Sequence, residues 1–419
     1  MQYAKVVIVG GGFGGLYVAK SLKKGPAEVL VIDKTNHHLF QPLLYQVASA
    51  ALAPSDIARP IREILHKQKN AVVIMGKVIG IDKDKQKVLL SNGVEYDYDY
   101  LVMAVGNRHS YFGNDEWEQH APGLKNLNDA LLIRERILKS FERAERCDRI
   151  SEAEKHLRFV IVGGGPTGVE LAGSLAEVAH QTMLKNFRRI NPDKSRIYLI
   201  ESGPRLLPEF AKELSERAQK DLSELGVIVL TDTKVTGIDG TRVQIGEEQI
   251  ETQNVIWAAG NKVSPLLKTL GAPMDSLGRV IVQPDMSIPD YPMVFVIGDA
   301  AHCKGKDGKL LPAMAPVAIQ QAYYVAETIR QGTSPQERKP FSYFDKGQMA
   351  TIGKKKALVM VGKYTFSGYF AWLVWCVIHI MYLIGYKNRI RVMAEWFYLY
   401  MTGGRGSRLI NSELEYKEK

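Results

Sequence analysis

Three glycines and one acid near the start of the chain have the types and spacing of a dinucleotide-binding fingerprint. Gly10, Gly12 and Gly15 follow the β-branched run Val6–Val9, and Asp33 comes 23 residues after the first of these glycines. In this fingerprint the first glycine permits a tight turn, the second lets the backbone approach a pyrophosphate, the third allows close helix packing, and the acid accepts hydrogen bonds from a ribose. The pattern therefore predicts a strand, a turn and a helix that bind a dinucleotide.

The same fingerprint recurs in the middle of the chain. Gly163, Gly165 and Gly168 follow a second β-branched run, and Glu201 stands at the end of the next predicted strand, 38 residues after Gly163. This gap is longer than the ~20 residues usual for the motif, so Glu201 is assigned from its place at the strand end. Leu171–Arg189, which fills much of the gap, is predicted to form one long helix.

Two fingerprints imply two dinucleotides, most economically FAD and a nicotinamide dinucleotide. The carboxylate of Glu201 would repel the 2′-phosphate of NADPH, which favours NADH. Arg205 lies close by in the sequence and leaves the strictness of this preference open. We therefore assign the second fingerprint, with Glu201, to NADH.

A buried strand that ends in a glycine turn follows each fingerprint. Tyr98–Gly106 predicts the first of these strands, and Val255–Gly260 repeats its pattern. Such a turn often closes over a nucleotide, so Ala104 and Gly106 are assigned to the FAD site. The repetition thus extends from the glycines to whole domains.

The chain is then predicted to return to its first domain. Val294–Ile297 predicts a strand that leads into Gly298 and Asp299, where an acid can bind the ribityl chain of a flavin. A helix is predicted over 312–330, with Val317 in its first turn. Its positive end suits the negative charge that a reduced flavin develops. These residues are therefore assigned to FAD together with the first fingerprint.

The cysteines argue against electron transfer through a disulfide. Cys147, Cys303 and Cys376 are far apart, and the apolar loop His37–Ala48 contains no thiol. Isolated thiols of this kind are usually small buried side chains. The sequence therefore favours direct transfer from the flavin to an outside acceptor, and no metal site is predicted.

These features resemble the type II NADH dehydrogenases, which are single-subunit NADH:quinone oxidoreductases of the two-dinucleotide flavoprotein superfamily. The segments that carry the resemblance are His37–Ala48, Gly163–Gly173, Gly298-Asp299, Ala315–Gln321 and Tyr343–Gly347. Together with the two fingerprints they extend the resemblance over nearly the whole chain.

The resemblance implies an α/β fold with two Rossmann-like dinucleotide-binding domains, in which the NADH domain interrupts the FAD domain. The FAD domain is expected to comprise 1–121 and 265–345, and the NADH domain 122–264. Residues 346–419, called the C-terminal segment below, are expected to associate with a membrane. The family also implies a homodimer.

The resemblance further implies a quinone pocket and a glutamate beside the nicotinamide. The expected pocket residues are Gln41, Pro42, Leu43, Pro316 and Gln320. The family motif often has a glutamine where this chain has Pro316, so a hydrogen bond to a quinone carbonyl rests on Gln320 or on backbone. The glutamate of the family corresponds to Glu170, which is expected to orient the nicotinamide or to assist proton transfer.

The charge distribution indicates a membrane-binding region. The formal charge of the chain is +10, and the C-terminal segment carries twelve basic and four acidic residues. Within it, 364–386 lacks Lys, Arg, Asp and Glu, is rich in aromatic residues and has basic flanks, and the aromatic stretch 392–401 follows. Paired amphipathic segments framed by cations suit an anionic membrane surface. A membrane span over 364–386 stays open from length alone, whereas a nucleic-acid site is not expected, because the charges frame apolar surface.

The predicted location is the cytoplasmic face of the cell membrane, with a peripheral or monotopic attachment. The first strand begins by residue 5, which leaves no room for a signal peptide. The expected reaction is hydride transfer from NADH to N5 of FAD, followed by transfer of two electrons to ubiquinone or menaquinone, without proton pumping.

Three alternatives stay open at this point. A sulfide:quinone oxidoreductase would share the scaffold, another NADH-dependent flavin reductase would share the cofactors, and a non-enzymatic flavoprotein would only sense NADH. The sequence does not choose between the two quinones or between ternary-complex and ping-pong kinetics, and it leaves the oligomeric state open beyond the family resemblance.

Overall fold

The computed structural model describes residues 3–412, which form two compact units. The first unit contains the residues up to Leu39, Ala58–Arg108 and Asn261–Lys346. The second unit contains Phe40–Ile57, His109–Gly260 and the residues from Gly347 onward. Each unit is therefore assembled from three stretches of chain, and the C-terminal segment belongs almost entirely to the second.

The first unit is built on a six-stranded sheet whose strands are parallel except for one at the edge. Across the sheet the strands are Ser287–Ile288, Tyr291–Val296, Tyr100–Met103, Ala4–Val9, Ala27–Asp33 and Ala71–Met75. Parallel strands place their carboxyl ends at the same edge, where a doubly wound sheet binds its ligand. The first fingerprint lies at this edge.

Helices and short strands complete the first unit. The α-helices are Phe13–Ser21, Ile61–Leu65 and Ala315–Gln331, with shorter helices at Leu22–Lys24, Pro265–Leu270, Gly298–Ala300 and Pro335–Glu337. The smaller strands are His37–Leu39, Ala58–Pro60, Val78–Asp82, Lys87–Leu90, Glu95–Asp97, Asn261–Val263, Val280–Ile281 and Ala301–His302, and Asn107–His109 lies where the chain leaves this unit. The helix predicted from residue 312 begins later, because Met314 is extended at φ −133° and ψ 150°.

The second unit repeats the sheet of the first. Its parallel strands lie in the order Val227–Leu230, Arg196–Ile200, Arg158–Val162 and Asn254–Trp257. Each unit thus has its fingerprint strand in the middle, with the following strand on one side and the glycine-ended strand on the other. The predicted α/β class with two Rossmann-like domains is confirmed.

The remaining elements of the second unit surround this sheet. Its helices outside the C-terminal segment are Gln41–Leu43, Leu44–Ala48, Pro54–Ile57, Asp115–Gln119, Leu127–Arg146, Ile150–His156, Pro166–Glu177, Val178–Thr182, Pro192–Lys194 and Lys212–Glu224. A three-stranded antiparallel sheet is formed by Val235–Ile238, Arg242–Ile245 and Glu248–Glu251.

The single helix predicted over Leu171–Arg189 is wrong at both ends. The helix begins at Pro166, because a proline in the first turn lacks only an N–H that has no partner within the helix. The α-helix ends at Glu177, and a π-helical turn, Val178–Thr182, follows it directly. Beyond that turn, backbone N–H groups of Arg188–Ile190 donate to the carboxylate of Glu145, which replaces the carbonyl acceptors of a continuing helix.

The C-terminal segment folds as a sheet and two helices. The strands are Gln348–Thr351, Ala357–Val361 and Tyr364–Gly368, and the helices are Tyr369–Tyr382 and Tyr386–Thr402. The charge-free stretch 364–386 is therefore divided between a strand and a helix. Among residues 3–412, no helix is long and apolar enough to cross a membrane.

Candidate functional site

The first fingerprint leaves open space only at its middle glycine. Gly10 has φ +105°, and a Cβ atom there would lie 2.3 Å from the carbonyl oxygen of Ala104. A Cβ atom at Gly15 would lie 1.8 Å from the carbonyl oxygen of Gly10, whereas one at Gly12 would meet no atom within 4 Å. The outer glycines are thus required by the protein itself, and the middle one borders space that a pyrophosphate can enter.

Asp33 is fixed beside this turn by three hydrogen bonds. Its Oδ2 accepts from the backbone N–H of Gly11 at 2.6 Å, and its Oδ1 accepts from the backbone and hydroxyl of Thr35, both at 2.7 Å. His38, which sequence reasoning missed, is buried and its Nδ1 lies 3.1 Å from the carbonyl oxygen of Gly11. Burial lowers the pKa of His38 to about 4, so a neutral ring supports the turn at neutral pH.

The other residues assigned to FAD meet the same edge of the sheet. The backbone N–H of Gly298 donates to Oε1 of Gln321 at 2.7 Å, and Oδ2 of Asp299 accepts from Nδ2 of Asn107 at 2.8 Å. Val317 is buried in the first turn of helix Ala315–Gln331. Gly106 has φ +63°, a backbone angle that forms a tight turn beside Asn107, and its Cα borders open space.

The second fingerprint has the same pattern of crowded outer glycines and an open middle glycine as the first. A Cβ atom at Gly163, where φ is +112°, would lie 2.7 Å from the backbone nitrogen of Ala259. A Cβ atom at Gly168 would lie 1.8 Å from the carbonyl oxygen of Gly163, and one at Gly165 would meet nothing within 4 Å. The second unit therefore presents the same open turn, with the same packing demands on either side.

Glu201 occupies the place that Asp33 has in the first unit. Its Oε2 accepts from the backbone N–H of Gly164 at 2.6 Å, and its Oε1 accepts from that of Gly203 at 2.7 Å. Arg205 donates to the carbonyl oxygen of Phe210 and to the hydroxyl of Ser215, at 2.7 and 2.8 Å. Its guanidinium is thus engaged in its own loop, and the carboxylate of Glu201 stands beside the turn.

Glu170 lies on helix Pro166–Glu177 among groups that offer its carboxylate little stabilisation. Its Oε1 accepts a long hydrogen bond, 3.4 Å, from the backbone N–H of Thr351. Burial raises the pKa of Glu170 to about 8, and it also raises that of the neighbouring Tyr45, whose hydroxyl accepts from Nε2 of Gln46 at 2.8 Å. A carboxyl in this state carries a proton at neutral pH and can release it slightly above.

Replacing Glu170 with glutamine should change how stability depends on pH. The pKa of Glu170 in the folded state is about 8, above the 4.5 of a solvent-exposed glutamate. The contribution of this group to stability is therefore complete below pH 4.5 and is lost as the pH rises through 8. The free energy of unfolding of the wild type should therefore fall relative to the variant, by at most ~1.4 kcal/mol per pH unit in that window.

The measurement is thermal unfolding of the flavin-loaded protein at several pH values. Glu216→Gln is the matched control, because Glu216 is an exposed helix residue of the same unit, 66% accessible and paired with Lys212. Parallel stability curves for the wild type and the Glu170→Gln variant between pH 5 and 8 would contradict the raised pKa.

The residues expected at a quinone pocket are divided between the units. Gln41, Pro42 and Leu43 form a short helix of the second unit, in which Gln41 is exposed and Leu43 is buried. Pro316 and Gln320 belong to helix Ala315–Gln331 of the first unit.

Gln320 already has partners at both ends of its amide group. Its Nε2 donates to the carbonyl oxygen of Phe344, and its Oε1 accepts from the N–H of the same residue, both at 2.9 Å. A hydrogen bond from this side chain to another molecule would have to be made in addition to this pair or in exchange for it.

Comparison with known proteins identifies the family. The family model described as pyridine nucleotide-disulphide oxidoreductase matches residues 4–322. The chain is 43% identical to a type II NADH:quinone oxidoreductase of Mycobacterium tuberculosis, with 98% of this chain and 90% of that protein covered. It is 31% identical to the demethylphylloquinone reductase of a Synechocystis strain, with coverages of 94% and 95%.

A solved structure has the same fold over nearly its whole length. It is that of NDH2 from Plasmodium falciparum in complex with NADH, which has a TM-score of 0.89 and 22% identity, and which covers 96% of this chain and 99% of that one. The sequence relatives, which span almost all of both chains, determine the assignment, and the predicted resemblance is confirmed. The chain belongs to the type II NADH:quinone oxidoreductases.

Proposed function

We propose that this protein oxidises NADH and reduces a membrane quinone, with FAD held by the first unit and NADH by the second. The observation that carries the proposal is the matched pair of fingerprints, each with an open middle glycine and a fixed acid beside it. FAD, when bound, supplies the redox chemistry, by accepting a hydride and passing two electrons to an acceptor. The protein supplies binding, orientation and charge.

The groups that would hold FAD come from four strand ends and one helix end. They are Gly10, Gly12, Gly15, Asp33, Ala104, Gly106, Gly298, Asp299 and Val317. Gly12 lets the backbone approach the pyrophosphate, and Asp33 keeps lone pairs for the adenosine ribose. Backbone N–H groups in the first turn of helix Ala315–Gln331 would face negative charge on the flavin.

In the second unit, Gly163, Gly165, Gly168 and Glu201 would hold NADH. The carboxylate of Glu201 favours a free 2′-hydroxyl over a 2′-phosphate. Glu170 would hold a proton at its carboxyl group and either orient the nicotinamide or pass that proton on. Its raised pKa and its place in the helix, two residues after Gly168, support this role.

For the quinone we retain the predicted residues, which are Gln41, Pro42 and Leu43 in the second unit and Pro316 and Gln320 in the first. Because Gln320 is bonded to Phe344 at both ends, we assign it the role of shaping the pocket backbone as well as contacting a quinone carbonyl. Ubiquinone and menaquinone both offer the carbonyl acceptors that such a site needs.

Anaerobic reduction of the bound flavin by NADH, followed by mixing with a soluble quinone, tests the function. NADH should bleach the flavin, and the quinone should reoxidise it within the turnover time. Sulfide in place of NADH, and ferredoxin in place of the quinone, test the rival reductases. Slow reoxidation of the flavin by every quinone would favour an NADH sensor. Failure of NADH to reduce the flavin would reject the proposal outright.

We further propose that the protein lies on the cytoplasmic face of the membrane, as a homodimer, through the C-terminal helices. Helix Tyr369–Tyr382 exposes Phe370, Val377 and Met381 on one side, and helix Tyr386–Thr402 exposes a second stripe. The members of that stripe are Tyr386, Ile390, Met393, Phe397 and Met401. Exposed cations at Lys363, Lys387 and Arg391 frame these stripes and suit anionic lipid.

The tryptophans do not belong to the exposed surface. The sequence analysis treated the aromatic residues of 364–386 and 392–401 as part of the membrane-binding region. In the structure Trp372, Trp375 and Trp396 are 8%, 2% and 6% exposed. They pack within the second unit, because helix Tyr369–Tyr382 lies on the C-terminal sheet and helix Tyr386–Thr402 lies on helix Pro54–Ile57.

Replacing Phe370, Val377 and Met381 together with asparagine should weaken binding to anionic vesicles at least tenfold. Each large apolar side chain that enters lipid contributes up to about 1.5–3 kcal/mol. Vesicle flotation measures the effect, and the matched control replaces the exposed Leu132, Ile150 and Leu184 of the same unit. Equal flotation of the two triple variants would argue against this membrane face.

A further inference from the structure

A buried polar cluster joins the C-terminal segment to the helix that carries Glu170. Glu170, Ser174 and Glu177 are spaced four and three residues apart, so they share one face of helix Pro166–Glu177. Ser174 and Glu177 are buried, and so is Arg405, which follows helix Tyr386–Thr402. A buried guanidinium is costly unless its charge is paired and its N–H groups are bonded. Both Nη atoms of Arg405 have such partners, whereas its Nε has none among residues 3–412.

Arg405 bonds two elements at once. Its Nη1 donates to the carbonyl oxygen and hydroxyl of Ser49, at 2.8 and 2.9 Å, and to the hydroxyl of Ser174 at 3.1 Å. Its Nη2 donates to the carbonyl oxygen of Ser174 at 3.1 Å and to Oε2 of Glu177 at 3.2 Å. One side chain thus ties the end of helix Leu44–Ala48 to the helix of Glu170.

The other oxygen of Glu177 organises a turn that reaches Glu170. Its Oε1 accepts from the backbone N–H of Lys354, while Oε1 of Glu170 accepts from the backbone N–H of Thr351. The turn between Thr351 and Lys354 is therefore bonded at one end to each glutamate of the same helix face. This turn therefore forms a bonded link between Glu177 and Glu170.

Two further residues of the C-terminal segment hold the same short helices. Nε1 of Trp396 donates to Oε1 of Gln46 at 2.7 Å, and Gln46 in turn donates to the hydroxyl of Tyr45. Nδ2 of Asn388 donates to the carbonyl oxygens of Ser55 and Asp56 at 2.8 and 2.9 Å. The C-terminal segment is thus bonded into the interior of its unit by these two residues as well as by Thr351, Lys354 and Arg405, in addition to presenting a surface.

We propose that Arg405 is a positioning residue for Glu170: its buried pair with Glu177 holds the Thr351–Lys354 turn and the Ser49 region against the helix, and so limits the access of water to the half-buried Glu170. This inference rests on the role proposed above for Glu170. It assigns the C-terminal segment a part in setting the protonation of that group.

Loss of the guanidinium has a defined electrostatic consequence. Burial raises the pKa of Glu177, and the charge of Arg405 opposes that rise. Without Arg405, Glu177 must take up a proton or become hydrated, and the turn loosens. Water then reaches Glu170 and favours its ionised form. The other titratable or charged groups in this region are Tyr45, Lys354 and Tyr400, which none of the variants below replaces.

The test uses full-length, flavin-loaded protein with four variants. They are Arg405→Met, Arg405→Lys, Arg405→Met combined with Glu177→Gln, and the control Arg189→Met, which removes an exposed ion pair with Asp148. Infrared titration follows the protonated carboxyl band that is absent from the Glu170→Gln protein. The pH profile of quinone reduction and the KM for NADH are measured in parallel.

Arg405→Met should lower the titration midpoint of Glu170 by at least one pH unit, and the pH profile should move with it while the KM for NADH stays unchanged. Arg405→Lys should lower the titration midpoint of Glu170 less than Arg405→Met does, and Arg189→Met should leave the midpoint unchanged. If Arg405→Met does not fold, Arg405→Lys and the double variant, which leaves no uncompensated charge, carry the test. An unchanged or raised midpoint in the folded variants would overturn the proposal.

The infrared readout separates this inference from the proposed function. A shifted carboxyl band in a protein that reduces no quinone would reject the function and keep the positioning role. An unshifted carboxyl band in a protein that reduces quinone would reject the positioning role and keep the proposed function.

Discussion

Replacing Gly168 with alanine should leave the flavin bound but make it unreactive toward NADH. The new Cβ atom would lie 1.8 Å from the carbonyl oxygen of Gly163, so the turn of the second unit has to move. A displacement of this size at a positioning element costs on the order of 100-fold in rate. Flavin content and the rate of anaerobic bleaching by NADH measure the two effects separately.

Gly15→Ala is the counterpart in the first unit. It places a Cβ atom at the same 1.8 Å, from the carbonyl oxygen of Gly10, and should yield protein without flavin. Gly80→Ala and Gly240→Ala serve as controls, because their Cβ atoms would meet neighbours at ordinary distances of 3.8 and 3.5 Å. Bleaching of the Gly168→Ala protein at the wild-type rate would contradict the assignment of the second fingerprint.

The middle glycines distinguish ligand contact from protein packing. Alanine at Gly12 or Gly165 meets no protein atom within 4 Å, so each variant should fold with the stability of the wild type in the absence of ligand. Gly12→Ala should nevertheless bind FAD more weakly, and Gly165→Ala should bind NADH more weakly, since the methyl group would stand where the pyrophosphate approaches.

Glu201→Gln should allow NADPH to reduce the flavin. The substitution keeps the size of the side chain and one acceptor for the N–H groups of Gly164 and Gly203, but it removes the negative charge that repels a 2′-phosphate. Like charges placed together cost several kcal/mol, so the ratio of kcat/KM for NADPH to that for NADH should rise on the order of tenfold or more. KM for NADH should rise as well, because one backbone N–H loses its acceptor.

Glu248→Gln is the control for that measurement. Glu248 is an exposed acid on strand Glu248–Glu251 of the same unit, so its replacement removes the same charge away from the fingerprint. An unchanged NADPH-to-NADH ratio for Glu201→Gln, equal to that of the control, would show that another residue sets the preference.

The sequence predicted those parts of the protein that local patterns encode. The glycines of each turn and the acids at the strand ends are specified by spacing and by the strand that precedes them. Glu201 was identified although its distance from Gly163 is unusual, because the end of a parallel strand fixes a position in space independently of chain length. The comparisons with known proteins confirm the predicted Rossmann-like repeat and the predicted family.

The parts that were missed depend on contacts between distant residues. Arg405 and Glu177 are 228 positions apart, and no local pattern links an arginine after a helix to a glutamate on another. The helix predicted to run to Arg189 ends early because Glu145, from a different helix, takes its backbone N–H groups. One signal was available: the helical spacing of Glu170, Ser174 and Glu177 marks a polar stripe on an otherwise apolar helix.

The discontinuous course of the two units has a consequence for the order in which the protein is made. The first unit has all its strands, and helix Ala315–Gln331, once synthesis has passed residue 346. The second unit still lacks its C-terminal sheet at that stage, and it gains Trp396 and Arg405 only later. Since domains fold as units during synthesis, the first unit can take up its nucleotide on the ribosome before the second has closed. We therefore expect flavin insertion to precede completion of the second unit.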